Sequence, residues 1–169
     1  MGFLPAFTFT VADRGWTADF DDADVFQIVR PALDGFLSIG RGGGVITPGP
    51  NPQPQRLPDD LIAWIAGHPD LEAGEPVDTE IDGIRAVQIE VEARVDTQLF
   101  IRARSDEGVT IGTQQPPGVL YGLDSGALAK LTILEVEGAR VVISIDGAPG
   151  TWDEFVALAD AVVASIDFR

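Results

Sequence analysis

Side chains that do chemistry are scarce in this chain. It has one histidine (His68), one lysine (Lys130), one tyrosine (Tyr121) and no cysteine. Those four types, with activated serine and carboxylates, carry most nucleophilic and general-base work in enzymes. Catalysis would therefore rest on Asp, Glu, Arg, Ser or Thr, or on His68. His68 stands alone between Gly67 and Pro69 at a helix end, with no triad context around it. A cation there suits the negative end of the helix dipole, which accounts for the residue without catalysis.

Asp19, Asp21, Asp22 and Asp24 crowd one short loop, and hard cations want several carboxylates converging on one point. The loop lacks EF-hand spacing, so it reads as a solvated acidic turn. The run Gly40-Arg41-Gly42-Gly43-Gly44 suggests a phosphate loop, but such a loop ends in Gly-Lys-Ser/Thr before a helix. Here Val45-Ile46 continues as strand, and the glycines read as a bulge or flexible turn. Trp16, Trp64 and Trp152 suit a sugar or apolar pocket, yet Trp64 and Trp152 fall on or beside helix faces that need burial anyway. A carboxylate pair of the glycosidase kind is easily matched by chance among 27 acidic residues. No residue is assigned a catalytic, cofactor-binding or metal-binding role, and no cofactor is expected.

The net charge of -16 repels phosphate backbones and anionic headgroups, so nucleic acid and membrane surfaces are not expected partners. Arg over Lys and Asp over Glu suit a GC-rich, for example actinobacterial, or a salt-adapted source. The absence of cysteine fits any compartment. No stretch approaches the ~20 apolar residues that span a bilayer, and the first residues carry neither a basic region nor a long apolar core. The chain is thus expected to be cytoplasmic, or to have lost a leader.

The elements that would position these groups follow from periodicity. Phe7, Phe9 and Val11 alternate with Thr8 and Thr10, a half-buried strand. Asp13-Arg14-Gly15 reads as a turn. Trp16 to Phe20, Val25 to Val29 and Phe36 to Ile39 continue an antiparallel meander, and Pro31 ends its third strand. Residues 48–58 hold five prolines, which cannot donate a regular ladder, so they read as an extended crossover loop within a single domain spanning 1–169. Pro58, Asp59 and Asp60 open a helix of about ten residues carrying Leu61, Ile62, Trp64 and Ile65.

Strand period returns at Val77, with Asp82-Gly83 as a hairpin turn before Val87, Ile89 and Val91. Leu99 to Ile101 and Val109 to Ile111 are further strand candidates. Leu131 to Val136 and Ala139 to Ile145 flank Glu137-Gly138, and their near-continuous apolar runs suit central strands covered on both faces. Thr151 with Glu154 has capping-box spacing, ahead of an apolar stripe of Phe155, Leu158, Ala159, Val162 and Val163. Ile166 to Phe168 close the chain as a short strand or tail. The class is α+β: a central antiparallel sheet flanked by helices.

Two blocks resemble a known family. The first is Leu61-Ile62-Ala63-Trp64-Ile65 through His68-Pro69-Asp70-Leu71, Glu75-Pro76-Val77 and Ile81-Asp82-Gly83-Ile84-Arg85-Ala86. The second is Leu131 to Ile145, Trp152-Asp153-Glu154-Phe155 and Ser165-Ile166-Asp167-Phe168, with Gly15-Trp16 as an early match. Together they are similar to small export-associated actinobacterial domains with a PsbP/Mog1-like fold. The resemblance implies a central antiparallel sheet with helices on both sides and a place outside the cytoplasm. It carries no catalytic residues across. The proline-rich loop and the absent leader depart from the pattern.

The expected function is a non-enzymatic binding or accessory module for a protein partner or small ligand. Two alternatives stand beside it: a small carboxylate-dependent enzyme with a pocket between sheet and helix, and an assembly subunit using residues 40–58. An enzyme calls for a deep pocket with converging carboxylates, a binding module for a shallow apolar patch, and an assembly subunit for a large interface.

Overall fold

The computed structural model describes residues 5–21, 25–102 and 119–169. In chain order its elements are β1 (Phe7–Thr8), β2 (Thr17–Asp21), β3 (Val25–Arg30), β4 (Gly35–Ile46), β5 (Pro54–Arg56), α1 (Leu61–Ala66), β6 (Leu71–Ala73), β7 (Val77–Ile81), β8 (Ile84–Ala93), β9 (Thr97–Arg102), β10 (Val119–Leu123), β11 (Leu128–Val136), β12 (Ala139–Gly147), α2 (Trp152–Val163) and β13 (Asp167–Phe168). Every described strand pair is antiparallel. The main sheet runs β2-β3-β4-β12-β11-β8, and the far edge of β8 is shared by β7 and β6. β1 and β13 form a separate two-stranded ribbon that ties the chain ends together.

Turn chemistry explains the register. The β7–β8 hairpin closes on Asp82 (φ 50°) and Gly83 (φ 74°), and the β11–β12 hairpin on Glu137 (φ 52°) and Gly138 (φ 77°). Both are paired left-handed turns, whose twist matches that of the strands they join. With the turn fixed, β11 and β12 pair without a slip from Leu128↔Gly147 to Val136↔Ala139.

Of the two readings of the glycine run, the bulge holds and the flexible turn does not: the run lies inside β4, a strand of twelve residues. Gly35 to Arg41 pair with β12, while Gly42 to Val45 pair with β9 across a register shift between Gly42 and Gly44. Without Cβ atoms, these residues let one strand bend and change partners. The proline-rich segment also does more than connect. Pro54 to Arg56 return to pair with Gly44 to Ile46, and Gln53 is held to Thr47 through both backbone and hydroxyl. Short edge pairing tolerates proline because one edge of the strand needs no donor.

Two other expectations fail on length. The alternating run from Phe7 to Val11 pairs over only two residues, because Thr10 donates its N–H to Ser165 Oγ rather than to a strand. α1 has six residues, not ten. Its N-cap is Asp60, whose side chain accepts from Ala63 N–H at 2.9 Å, and Gly67 closes it. The candidate strand at Val109 to Ile111 and the turn before it lie outside the described residues.

The sheet buries both faces, so the α+β sandwich is as expected. On one face α2 lays Phe155, Ala159, Val162 and Val163 over Leu37, Ile39, Leu134, Val141, Ile143 and Ile145. Gly35 lies so close beneath α2 that a Cβ there would sit 2.6 Å from the Phe155 ring. On the other face α1 contributes Leu61 and Ile65 to a core with Ile89, Val91, Leu99, Phe100, Leu131 and Val142. The Thr151 side chain does not cap α2. Its hydroxyl donates instead to the Leu33 carbonyl, which pins the helix start to the turn before β4.

Candidate ligand cleft

The residues singled out from the sequence are scattered. Asp19 and Asp21 are exposed, and Asp19 accepts from Gln27 Nε2 at 3.0 Å. Asp22 and Asp24 lie outside the described residues. Among the described residues no three His, Cys, Asp or Glu side chains gather as a metal site. Trp16 packs on Phe155 at 5.6 Å and lies under the Arg30 guanidinium at 5.8 Å. Trp152 packs against that same core. Trp64 sits on the opposite face beside Phe100, at 6.3 Å. The tryptophans line no common pocket.

His68 is buried, with 4% of its surface exposed. Its Nδ1 accepts from Asp70 N–H at 3.3 Å, and its ring meets Trp64 edge-on at 4.9 Å. Nε2 is buried without a hydrogen-bond partner. Burial pushes the pKa below the ordinary imidazole value, and the Asp70 charge opposes this more weakly. The reading of His68 as a cation at the negative end of the helix dipole is therefore corrected. It is a neutral ring packed between α1 and β6.

A cleft of about 580 Å³ opens on the α1 face of the sheet, away from His68 and the tryptophans. α1 covers part of that face and β9 with β10 covers more; the cleft lies between the end of β10 and strands β3, β4 and β12. Its floor comes from strand register: Gln27, Ser38 and Ser144 lie side by side across β3, β4 and β12, and Phe36 pairs with Asp146 in the next row. Ser38 and Ser144 are buried with their hydroxyls 2.6 Å apart. Phe36 is 39% exposed, a large ring left open in the cleft wall.

The opposite wall is Tyr121 and the loop 122–127. Tyr121 stacks on Phe100 at 5.7 Å and 20°. A bulge between Tyr121 and Gly122 brings the backbone against β9, where a Cβ on Gly122 would sit 2.5 Å from the Thr97 carbonyl. The loop is then fastened from below. Ser125 N–H donates to Asp96 Oδ1 at 2.8 Å, Ser125 Oγ donates to the Arg94 carbonyl at 3.2 Å, and Gly126 N–H donates to the Ala93 carbonyl at 2.7 Å. Such a wall is set before any ligand arrives, which lowers the ordering cost of binding.

Among the described lining residues the charged ones are Asp34, Asp124 and Asp146. Asp34 and Asp124 are exposed, whereas Asp146 is half-buried with Oδ1 shielded from solvent. A second depression of about 520 Å³ lies behind Gly122, Leu123 and Asp124, bounded by the Thr47–Pro52 turn and by Asp70 and Asp96. The two hollows share one wall.

Sequence reasoning did not single out Phe36, the 121–127 loop, Asp34 or Asp146. One signal for Phe36 was present: in a period-two strand it falls on the face opposite Leu37 and Ile39. Asp124-Ser125-Gly126 also carries turn chemistry. Nothing local marks Asp146, which reaches the cleft through pairing with β4.

Fold and cleft together define an α+β antiparallel sandwich with one face covered by a long helix and the other covered piecemeal. No protein-family model matches the sequence, and no curated protein matches it. In structure the chain is similar to a Bacteroides thetaiotaomicron VPI-5482 protein, with a TM-score of 0.45 and 15% identity. That match covers 96% of this chain and 45% of the other, so the chain spans less than half of that protein's length. It is also similar to cyanobacterial PsbP (CyanoP) from Synechocystis sp. PCC 6803, with a TM-score of 0.46 and 13% identity over 98% of this chain and 94% of that one.

Proposed function

We propose that this protein is a non-enzymatic binding or accessory module and that the cleft between Phe36 and the 121–127 loop is its ligand site. The single observation carrying this reading is the half-open Phe36 ring facing a loop already fastened to β8 and β9. An aromatic side chain in a preformed hollow offers apolar contact area, and the polar groups around it set orientation. Two of the three cleft carboxylates are exposed, which suits recognition better than the closed, water-poor site that general acid–base chemistry calls for.

The assembly reading has less support. At Gly40 the β4 backbone pairs with β3 and β12, and at Gly44 and Val45 with β5 and β9. Of residues 40–58, those β4 positions are thus engaged on both sides within the chain, while β5 pairs along one edge with β4. Work outside the cytoplasm is part of the proposal and rests on the two resembling sequence blocks. Among the described residues no helix is long and apolar enough to cross a membrane.

The test is amide-shift mapping with a fragment set of mixed charge. Perturbations are expected to cluster at residues 34–36, 121–127 and 146–149. Binding that maps only to other surfaces rejects the cleft as the site. Turnover of any fragment, abolished by Asp146→Asn, rejects the non-enzymatic reading.

A further inference from the structure

We infer that the proline-rich turn between β4 and β5 is a second binding element. It offers the Pro50 ring to a partner protein that carries an apolar, aromatic-lined pocket for one proline. The inference goes beyond the cleft and does not depend on it. Three observations lead to it. The first is exposure. Pro48 to Gln53 are exposed without interruption, and a Cβ on Gly49 would meet nothing within 4 Å among the described atoms. Pro48, Gly49 and Pro52 border the second depression, whereas Pro50 and Asn51 stand beyond its lining.

The second observation is that this tip is held in shape. Thr47 N–H donates to the Gln53 carbonyl at 2.9 Å, and Gln53 N–H donates to Thr47 Oγ1 at 2.8 Å, which closes the base. β5 then ties Pro54 to Arg56 onto Gly44 to Ile46. Between these anchors prolines alternate at positions 48, 50, 52 and 54. Each ring fixes its own φ and also restricts the residue before it. A loop with so few alternative shapes loses little entropy when a partner takes hold. Gly49 has φ 107°, which bends the chain just before Pro50. The bend interrupts any continuous polyproline helix, so Pro50 is presented singly.

The third observation is charge. Residues 42–55 contain no Asp, Glu, Lys or Arg, within a chain of net charge -16. An approaching protein meets apolar rings at the tip rather than a dense carboxylate surface. Proline lacks the N–H that a sheet edge donates, so strand pairing is not the mode of contact. Pro50 offers a compact apolar ring, and flat aromatic side chains are the surfaces that proline-binding sites set against it.

Amide-shift titrations of the full chain with two purified probes test this. One is a cyclophilin-type prolyl isomerase, whose site holds one proline; the other is an SH3 domain, whose groove holds an extended proline helix. The isomerase is expected to bind with shifts at Thr47, Gly49, Asn51 and Gln53, and an inhibitor filling its proline pocket should remove them. Pro50→Ala should weaken binding at least about 10-fold, as loss of the anchoring contact. Its melting temperature should match the parent's, because Pro50 is exposed. Thr47→Val removes the hydroxyl that holds Gln53 and should weaken binding about 3-fold through a looser loop. The exposed Glu135→Gln, away from this turn, should leave it unchanged.

No binding, binding undiminished by Pro50→Ala, or shifts confined to other surfaces would overturn the inference. Tighter binding of the loop by the SH3 domain would overturn the single-proline pocket. Each of these outcomes leaves the cleft reading standing, because that reading is tested at residues 34–36, 121–127 and 146–149.

Discussion

The two faces of the sheet are built from the same strands yet end up unlike. Beneath α2 the cover is a helix of twelve residues whose buried positions share one core with six strands. There the chain also spends its only lysine: Lys130, 11% exposed, reaches Asp160 on the helix at 2.8 Å and Glu90 on β8 at 4.0 Å. Gln88 and Thr132 bond across the neighbouring row at 3.0 Å. Beneath α1 the cover is six residues of helix, a hairpin and loops. Buried serines lie on that face, and the cleft opens there. A face covered by one long helix keeps a smaller hollow, about 220 Å³ beside Trp152. A face covered piecemeal leaves gaps, and the gaps take whatever side chains the register delivers.

That contrast predicts where substitutions hurt. The largest effect is expected from Phe155→Ala, which empties a fully buried ring position in the α2 core and should cost about 3–5 kcal/mol in urea unfolding. A loss below ~1 kcal/mol would show that the α2 face is not the tighter one. Lys130→Ala removes the helix-to-sheet ion pair. Its partners are partly open to water, so the expected loss is about 1–2 kcal/mol. A double-mutant cycle with Asp160→Ala would assign that loss to the pair.

On the α1 face the test is pH. The pKa of His68 is lowered in the folded chain, so the unfolded chain binds more protons below its own value near 6.5. The stability from this group is thus complete above about pH 6.5 and falls as the solution is acidified toward the depressed value. Melting temperature should decline over that window in the parent chain, and the decline should flatten in His68→Gln. An unchanged slope in the variant would place the pH sensitivity elsewhere. The smallest stability effect is expected from Phe36→Ala, within about 0.5 kcal/mol as for other exposed positions. A large loss would make Phe36 a core residue and weaken its assignment to the ligand site.

Much of the frame was legible in the residues. Asp82-Gly83 and Glu137-Gly138 marked both hairpins, because left-handed turns favour these types. The spacing of Phe155, Ala159, Val162 and Val163 marked α2 and its buried stripe. The continuous apolar runs of β11 and β12 announced a two-sided centre, and β12 indeed feeds both cores. Pro58, Asp60 and Gly67 bracketed α1, although not its true length.

Other features depend on partners distant in sequence. Gly40 to Gly44 read as a bulge or a flexible turn, since local chemistry gives glycine no preference for a strand; pairing with β3, β9 and β12 decided for the bulge. Thr151 had capping spacing, but the Leu33 carbonyl, 118 residues away, took its hydroxyl. His68 read as a cation at a helix end, whereas the fold buries it. The cleft lies furthest from local signals, because Phe36, Asp146 and the 121–127 loop meet only through strand pairing. Sequence alone set turns, helix faces and strand phase, which are short-range properties of backbone and side-chain periodicity. Which face stayed open, and which carboxylates and ring line it, was decided by long-range register, because a side chain's neighbours across a sheet follow from pairing and not from its place in the chain.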